Sequence, residues 1–479
     1  MNVRKIVSLL VLLGVSAARL SADSPGIPKT VEGERIRAFL AMSEKGDAAS
    51  AREFVEKNFS EGARKAVPLE QRVERIVAMA ANLGPLELVR VIAAADGNAK
   101  FVARSKKKGE ELTVALELES SPFRGIRGVR MEAGGGREQD GPIEPAEKPK
   151  GSDREVAAAT DAWLAKLAGA DEFSGVVLLA RAGRPFYAKA FGLADRERRI
   201  PNTLDTKFNI ASIGKAFTSA AVAKLVDEGR LSWSDTILHV LPDSKLPSAD
   251  RITVAQLIEM TSGLGDFFGP EFAAADKSRI RELADYLPLF EKKPLRFEPG
   301  RGNEYSNAGY VVLGLMIEKV TGKKYRDYVR EAVFAPAGMA DTEFFAVDEP
   351  TPNRATGYTR RNESGPGGPG APRRPNTDTL PGRGSSAGGV YSTAGDLLKF
   401  AGALQRGELE LARPGRARAA KGSPREPARG DEALAGGSPG TNAVLEADFE
   451  NGTTIIVLAN DDPPIAEKTR RRIGQWMAK

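Results

Sequence analysis

From Val31 to Asn82 the apolar residues recur every three or four positions in three blocks: Val31–Met42, Ala48–Phe59 and a run opened by Pro68. That spacing predicts three amphipathic helices. After Asn82 the period shortens to two. Leu86–Ala94, Ala99–Arg104, Glu111–Glu119 and Gly125–Met131 read as four strands, punctuated by Asp96-Gly97 and Lys108-Gly109. Residues 28–132 are therefore expected to form a small α+β domain, helices first and an antiparallel meander after.

Gly134–Gly151 is glycine-rich, then proline- and charge-rich, with almost no apolar residue. It predicts a flexible linker over 133–152 and a domain boundary. Beyond it the pattern alternates. Ser152–Gly169 has helical spacing, and Gly175–Arg181 and Phe186–Gly192 read as a strand hairpin around Gly183. A helical middle follows from Ile213 to about Tyr328. Ala443–Asp448 and Thr453–Ala459 form a second hairpin through Asn451-Gly452, a strong turn signal, and Ile465–Met477 closes the chain as a helix. Strands at both ends with helices between predict one antiparallel sheet built from the two termini of residues 153–479 and interrupted by a helical subdomain, an α/β (α+β) arrangement.

Two irregular stretches interrupt this domain. Arg360–Gly389 contains GPGGPGAPRRP and reads as a long surface loop. Arg413–Gly430 carries six basic residues against Glu426, and reads as a solvated loop, with contact to an anionic surface as the alternative.

Composition removes whole classes of chemistry. The 479 residues contain no cysteine and one histidine. Disulfides, thiol nucleophiles and Cys-ligated metals are thereby excluded, and a Ser-His-Asp triad would have to use His239. The net charge of +6, from 70 basic and 64 acidic residues, is mild for this length, and aromatics are only 6%. Neither points to nucleic acid. At the N-terminus Arg4 and Lys5 precede the apolar run Ile6–Val15, with small residues at Ala18 and Ala22. Residues 1–22 thus read as a cleavable export signal, too short to span a bilayer, and the mature protein is expected to be periplasmic or secreted, with no stable membrane span after cleavage.

The candidate chemistry is Ser212-Ile213-Gly214-Lys215, at the head of the apolar run Ala216–Val226. Positions three apart share a helix face, so the Ser212 hydroxyl and the Lys215 amine can meet. A desolvated lysine can be neutral near pH 7 and accept the serine proton, which needs no imidazole. Ser105-Lys106-Lys107-Lys108 matches the same spacing but sits in a charged turn between strands, where no helix aligns the two groups. His239 lies in a short apolar element and reads as a structural histidine.

The segment around Ser212, Phe208-Asn209-Ile210-Ala211-Ser212-Ile213-Gly214-Lys215-Ala216-Phe217-Thr218, closely resembles the nucleophile segment of the penicillin-recognising serine hydrolases: class C β-lactamases, D-alanyl-D-alanine carboxypeptidases and related esterases. Thr261-Ser262-Gly263-Leu264, preceded by Met260, resembles that family's threonine-serine-glycine loop. Tyr305-Ser306-Asn307 resembles its second motif, Ala387–Leu397 the segment that follows, and Gly436–Asn442 the entrance to its last hairpin. These motifs stand in the family's order over about residues 153–479. The resemblance implies a β-lactamase/transpeptidase-like fold and acyl transfer to an ester, amide or β-lactam, with a small molecule or peptide as substrate and no metal or organic cofactor. Under it Ser212 is the nucleophile, Lys215 the proton acceptor, and Tyr305 a second acid/base with a phenol depressed by nearby cations. Asn307 binds Lys215 or substrate, and Gly437 gives a backbone N–H to an oxyanion hole. The departure is the third motif. Leu434-Ala435-Gly436 stands where the family places a cation, and Arg413–Asp431 replaces an aromatic, glycine-containing strand, so that one strand of the sheet is expected to be missing or altered. A binding protein that has lost turnover is the alternative function. The N-terminal domain resembles, in element order alone, the cone-shaped fold of the nuclear-transport-factor-like superfamily.

Overall fold

The computed structural model describes residues 27–66, 68–95, 98–109, 111–119, 125–133, 151–361, 372–414 and 431–477. The export signal over 1–22, the Asp96-Gly97 turn and most of the 133–152 linker lie outside them, as do the centres of the two irregular stretches. The chain separates into two compact units, with the division between Ala146 and Glu147.

The first unit begins with α1 (Val31–Lys45), α2 (Ala48–Asn58), α3 (Glu61–Ala66) and α4 (Leu69–Leu83). Thr30 and Asp47 cap α1 and α2 by accepting from backbone N–H groups of their first turns. The strands β1 (Leu86–Ala95), β2 (Asn98–Ser105), β3 (Glu111–Leu118) and β4 (Ile126–Ala133) then pair in sequence order, each antiparallel to the next. Phe39, Phe54, Phe101 and Val114 lie in the core between helices and sheet, as the switch from helical to alternating spacing dictates.

The second unit is mixed helix and antiparallel sheet. α5 (Asp153–Gly169) leads into β5 (Gly175–Arg181) and β6 (Arg184–Phe191). The chain then crosses a helical subdomain to α6 (Gly214–Asp227), α7 (Asn307–Thr321) and α8 (Ala394–Gln405). It returns through β7 (Asp431–Ser438), β8 (Thr441–Asp448) and β9 (Thr453–Ala459) to α9 (Ile465–Met477). The sheet order is β7-β8-β9-β5-β6, so β9 against β5 joins the two ends of the domain. Val176, Leu178, Ile456 and Leu458 belong to the large core of the helical subdomain. The intervening residues, such as Ile455 beside Gly474 of α9, face the other way, as a period of two requires. Both faces of β5 are covered, which is why its sequence, GVVLLAR, is apolar almost without a break.

One expectation needs correction. The helical middle is mostly one-turn helices joined by loops, such as Ile237–Val240, Val254–Ile258 and Leu283–Tyr286, with α6 and α7 as its full-length members. Caps such as Thr253, whose side chain accepts from Gln256 N–H, fix where these short segments begin. The strand carrying the divergent third motif is present: β7 pairs along its whole length with β8. Residues 415–430, where the altered strand was expected, lie outside the described residues, and β7 is the edge of the sheet among those that are described. None of the described helices is long and apolar enough to cross a membrane.

Candidate active site

Ser212 stands in a turn of 3-10 helix, Ala211–Ile213, directly ahead of α6. Ala211 holds φ at +45°, an uncommon conformation for a residue with a Cβ, of the kind that clusters at functional turns. Two glycines let backbone close around this turn. A Cβ on Gly388 (φ +140°) would lie 2.4 Å from the Ala211 carbonyl oxygen. One on Gly436 of β7 would lie 2.4 Å from the Ile210 oxygen and 2.7 Å from the Ser212 nitrogen. Only a residue without a side chain fits either place.

Lys215, in the first turn of α6, is only 6% exposed. Its Nζ donates to Asn307 Oδ1 at 2.6 Å and to the Ala387 carbonyl at 2.5 Å, and lies 3.4 Å from Ser212 Oγ. It also sits over the Tyr305 ring, 4.7 Å from its centroid. Burial lowers its pKa to about 7, against a smaller opposing pull from the Asp266 carboxylate. An ammonium would use all three N–H bonds on these partners. The neutral amine keeps two, for Asn307 and Ala387, and turns its lone pair to the third direction, where Ser212 Oγ lies.

Tyr305 Oη donates to Ser212 Oγ at 2.6 Å. The expected depression of its pKa is not found. Burial of the hydroxyl pushes it above the usual phenol range, the hydrogen bond to Ser212 opposes this, and Asp266 adds to the rise. The expectation assumed two cations near the ring, but Leu434 supplies none and burial favours the neutral form of Lys215. The phenol is therefore a proton donor.

The Met260–Leu264 loop braces this segment. Glu304 N–H donates to the Met260 carbonyl and Gly300 N–H to that of Thr261, which sets where Tyr305 and Asn307 leave the backbone. Asp266, a few residues on, was not identified from the sequence. Its Oδ2 accepts from Asn307 Nδ2 at 2.8 Å, so it orients the amide whose oxygen holds Lys215. The only sequence signal was its place just after the Thr261-Ser262-Gly263 loop.

The other assignments fall into two groups. Gly437 lines a cleft of about 710 Å³ together with Ser212, Asn307 and Ser438. Leu434 does not line it; the side chain is half-buried against the core of the helical subdomain. His239 is also away from the cleft, with 72% of its side chain exposed and Asp235 3.8 Å away on the same short helix. The rival Ser105 is fully buried at the end of β2, where its hydroxyl donates to the Leu83 carbonyl and accepts from Lys108 N–H. It is a turn-stabilising serine.

Comparison with known proteins agrees with this architecture. Penicillin-binding protein 4* of Bacillus subtilis is 34% identical over 176 residues, 36% of this chain and 38% of that protein, so the match covers well under half of that relative's length. The putative penicillin-binding protein PbpX of the same organism is 30% identical over 293 residues, 60% of this chain and 70% of that protein. The crystal structure of a penicillin binding protein from Bacillus halodurans superposes with a TM-score of 0.56 at 30% identity, covering 65% of this chain and 98% of that one. The model of the family named Beta-lactamase matches residues 160–476, leaving the first unit outside it. The chain belongs to the Beta-lactamase family.

Proposed function

We propose that the cleft hydrolyses a carboxylic ester or amide through an acyl-enzyme on Ser212. The observation that carries this reading is the convergence on one oxygen, Ser212 Oγ, of a phenol donor at 2.6 Å and a buried amine at 3.4 Å whose pKa is near 7. Neutral Lys215 takes the hydroxyl proton as Oγ bonds to the substrate's carbonyl carbon. The oxyanion is received by the N–H groups of Ser212 and Gly437, donors that need no particular side chain. Collapse breaks the bond to the leaving oxygen or nitrogen, which takes its proton from Tyr305. The Lys215 ammonium then returns its proton to the Tyr305 phenolate, and water adds to the ester carbonyl, its hydroxyl leaving with the acid and its other proton returning to Ser212 Oγ.

The third motif supports an esterase or peptidase over an efficient β-lactamase, because it carries no side-chain cation and its Leu434 packs on the core instead of entering the cleft. Asn307 orients Lys215 and faces the cleft, where its amide can meet a substrate carbonyl. Residues 28–132 have no assigned part in the chemistry, and we read them as a structural or substrate-presenting domain. The test is hydrolysis of p-nitrophenyl acetate. Ser212→Ala should lower kcat by at least about 10³-fold in a folded protein. Activity within about tenfold of the unaltered enzyme would refute the serine mechanism, and absence of turnover in both would favour the binding-protein alternative.

A further inference from the structure

The cleft reaches Ser212 and Asn307 but not Tyr305. Resting on the reading above, that asymmetry assigns its space. The leaving group departs beside the proton donor Tyr305, so the cleft, which Ser212 lines and Tyr305 does not, is assigned to the acyl portion. Its surface is aromatic: Phe267, Phe268, Phe272 and Tyr286 on one side, Phe345 and Tyr391 on the other.

Phe268 is the unusual member. Its ring is 48% exposed, yet it rests on Phe267 at 4.5 Å between centroids and edge-on against Phe272 at 4.9 Å. Phe267 in turn packs at 4.9 Å on the buried ring of Tyr286. A single exposed phenyl needs no explanation in general, but this one is fixed in relation to the site. The Phe268 N–H donates to Asp266 Oδ1 at 3.0 Å, and the other oxygen of that carboxylate accepts from Asn307 Nδ2. One side chain therefore sets both the amide beside the reacting carbonyl and the ring beyond it.

Charged side chains at the cleft are Lys277, Arg361, Arg374 and Asp378. Arg374 is paired with Asp378 at 2.6 Å. Lys277 donates to the Ala273 carbonyl and lies over the Phe272 ring, 5.4 Å from its centroid. We infer from the aromatic lining that this cleft is an acyl-group pocket for an acyl chain ending in an aromatic ring or a comparably bulky apolar group, with Phe268 as its specificity-determining residue.

The test compares p-nitrophenyl 4-phenylbutyrate with p-nitrophenyl acetate, which share a leaving group and differ only in the part assigned to the cleft. The unaltered enzyme should favour the phenylbutyrate in kcat/KM, mainly through a lower KM. An added aromatic contact is worth up to about tenfold, so Phe268→Ala should lower kcat/KM for the phenylbutyrate by about that factor and change the acetate less than about twofold. Phe268→Tyr, which keeps the ring, should retain the preference. In parallel, direct binding of both esters is measured on Ser212→Ala. Tighter binding of the phenylbutyrate there, weakened by Phe268→Ala, supports the pocket even if Ser212 proves not to be the nucleophile. Equal binding of the two esters, or equal losses on Phe268→Ala, overturns it even if the serine mechanism holds.

Discussion

The two walls that meet at Ser212 are built on opposite principles. The helical wall is made of side chains: Lys215 from α6, Asn307 and Tyr305 at the head of α7, and Asp266 from the loop between, linked by hydrogen bonds of 2.6 to 2.8 Å apart from the longer Lys215–Ser212 approach. The strand wall is made of backbone. Gly436 and Gly437 of β7 bring bare main chain against the Ser212 turn, and Leu434, the one bulky residue of the motif, turns toward the core. A wall made of side chains can be silenced one atom at a time. One made of backbone tolerates changes of side chain and fails only where a side chain intrudes.

The largest effect is expected on the side-chain wall. Lys215→Met, close in shape and without the amine, should lower kcat/KM for ester hydrolysis by about 10³-fold, in the range found for loss of a general base. The pH profile sharpens the point. Because the amine must be neutral to act and its pKa is about 7, kcat/KM should rise with pH through about 7. Asp266→Asn removes a negative charge that favours the ammonium, so the rising limb should move to lower pH. A limb that stays put, or moves up, would separate Asp266 from Lys215.

On the strand wall the comparison breaks at Gly436. Gly436→Ala places a Cβ against two backbone atoms that cannot swing away. Displacing the Ser212 turn by a fraction of an ångström should cost about 10²-fold in kcat. Loss of activity with an unchanged melting temperature would show that the strand acts through position alone. Leu434→Lys asks whether the wall can be given a side-chain function. Because Leu434 packs toward the core and does not line the cleft, the answer expected is no. For penicillins and for neutral short-chain esters kcat/KM should change alike, by less than about tenfold. A rise confined to the carboxylate-bearing substrates would show that position 434 reaches the cleft after all.

The smallest effect is predicted at His239. His239→Gln should leave kcat/KM within about twofold, since no proposed step uses an imidazole and the ring stands on an exposed one-turn helix. A loss comparable to that of Lys215→Met in a folded protein would move the base to His239.

The same contrast explains what the sequence revealed. Strongly periodic elements were legible: the strands of the first unit, the β8–β9 hairpin around Asn451-Gly452 and the closing helix all follow from apolar spacing, because one buried face fixes the period. The short helices between α6 and α7 were not, because their ends are set by local capping rather than by a long stripe. Ser212 and Lys215 were visible because three residues on one turn suffice to bring them together. Asp266 was invisible because its role arises from contact with Asn307, 41 residues away in sequence. The Tyr305 phenol was misjudged for a related reason. Motif spacing placed it near Lys215 but could not register that burial outweighs the charge around it.

Labelling by a fluorophosphonate, read by mass spectrometry of the intact chain and its peptides, tests the central claim most directly. The account predicts one phosphonyl group per chain, located on Ser212, forming faster as pH rises through about 7 and absent from Ser212→Ala. An adduct on any other residue, or equal labelling of Ser212→Ala, would contradict it.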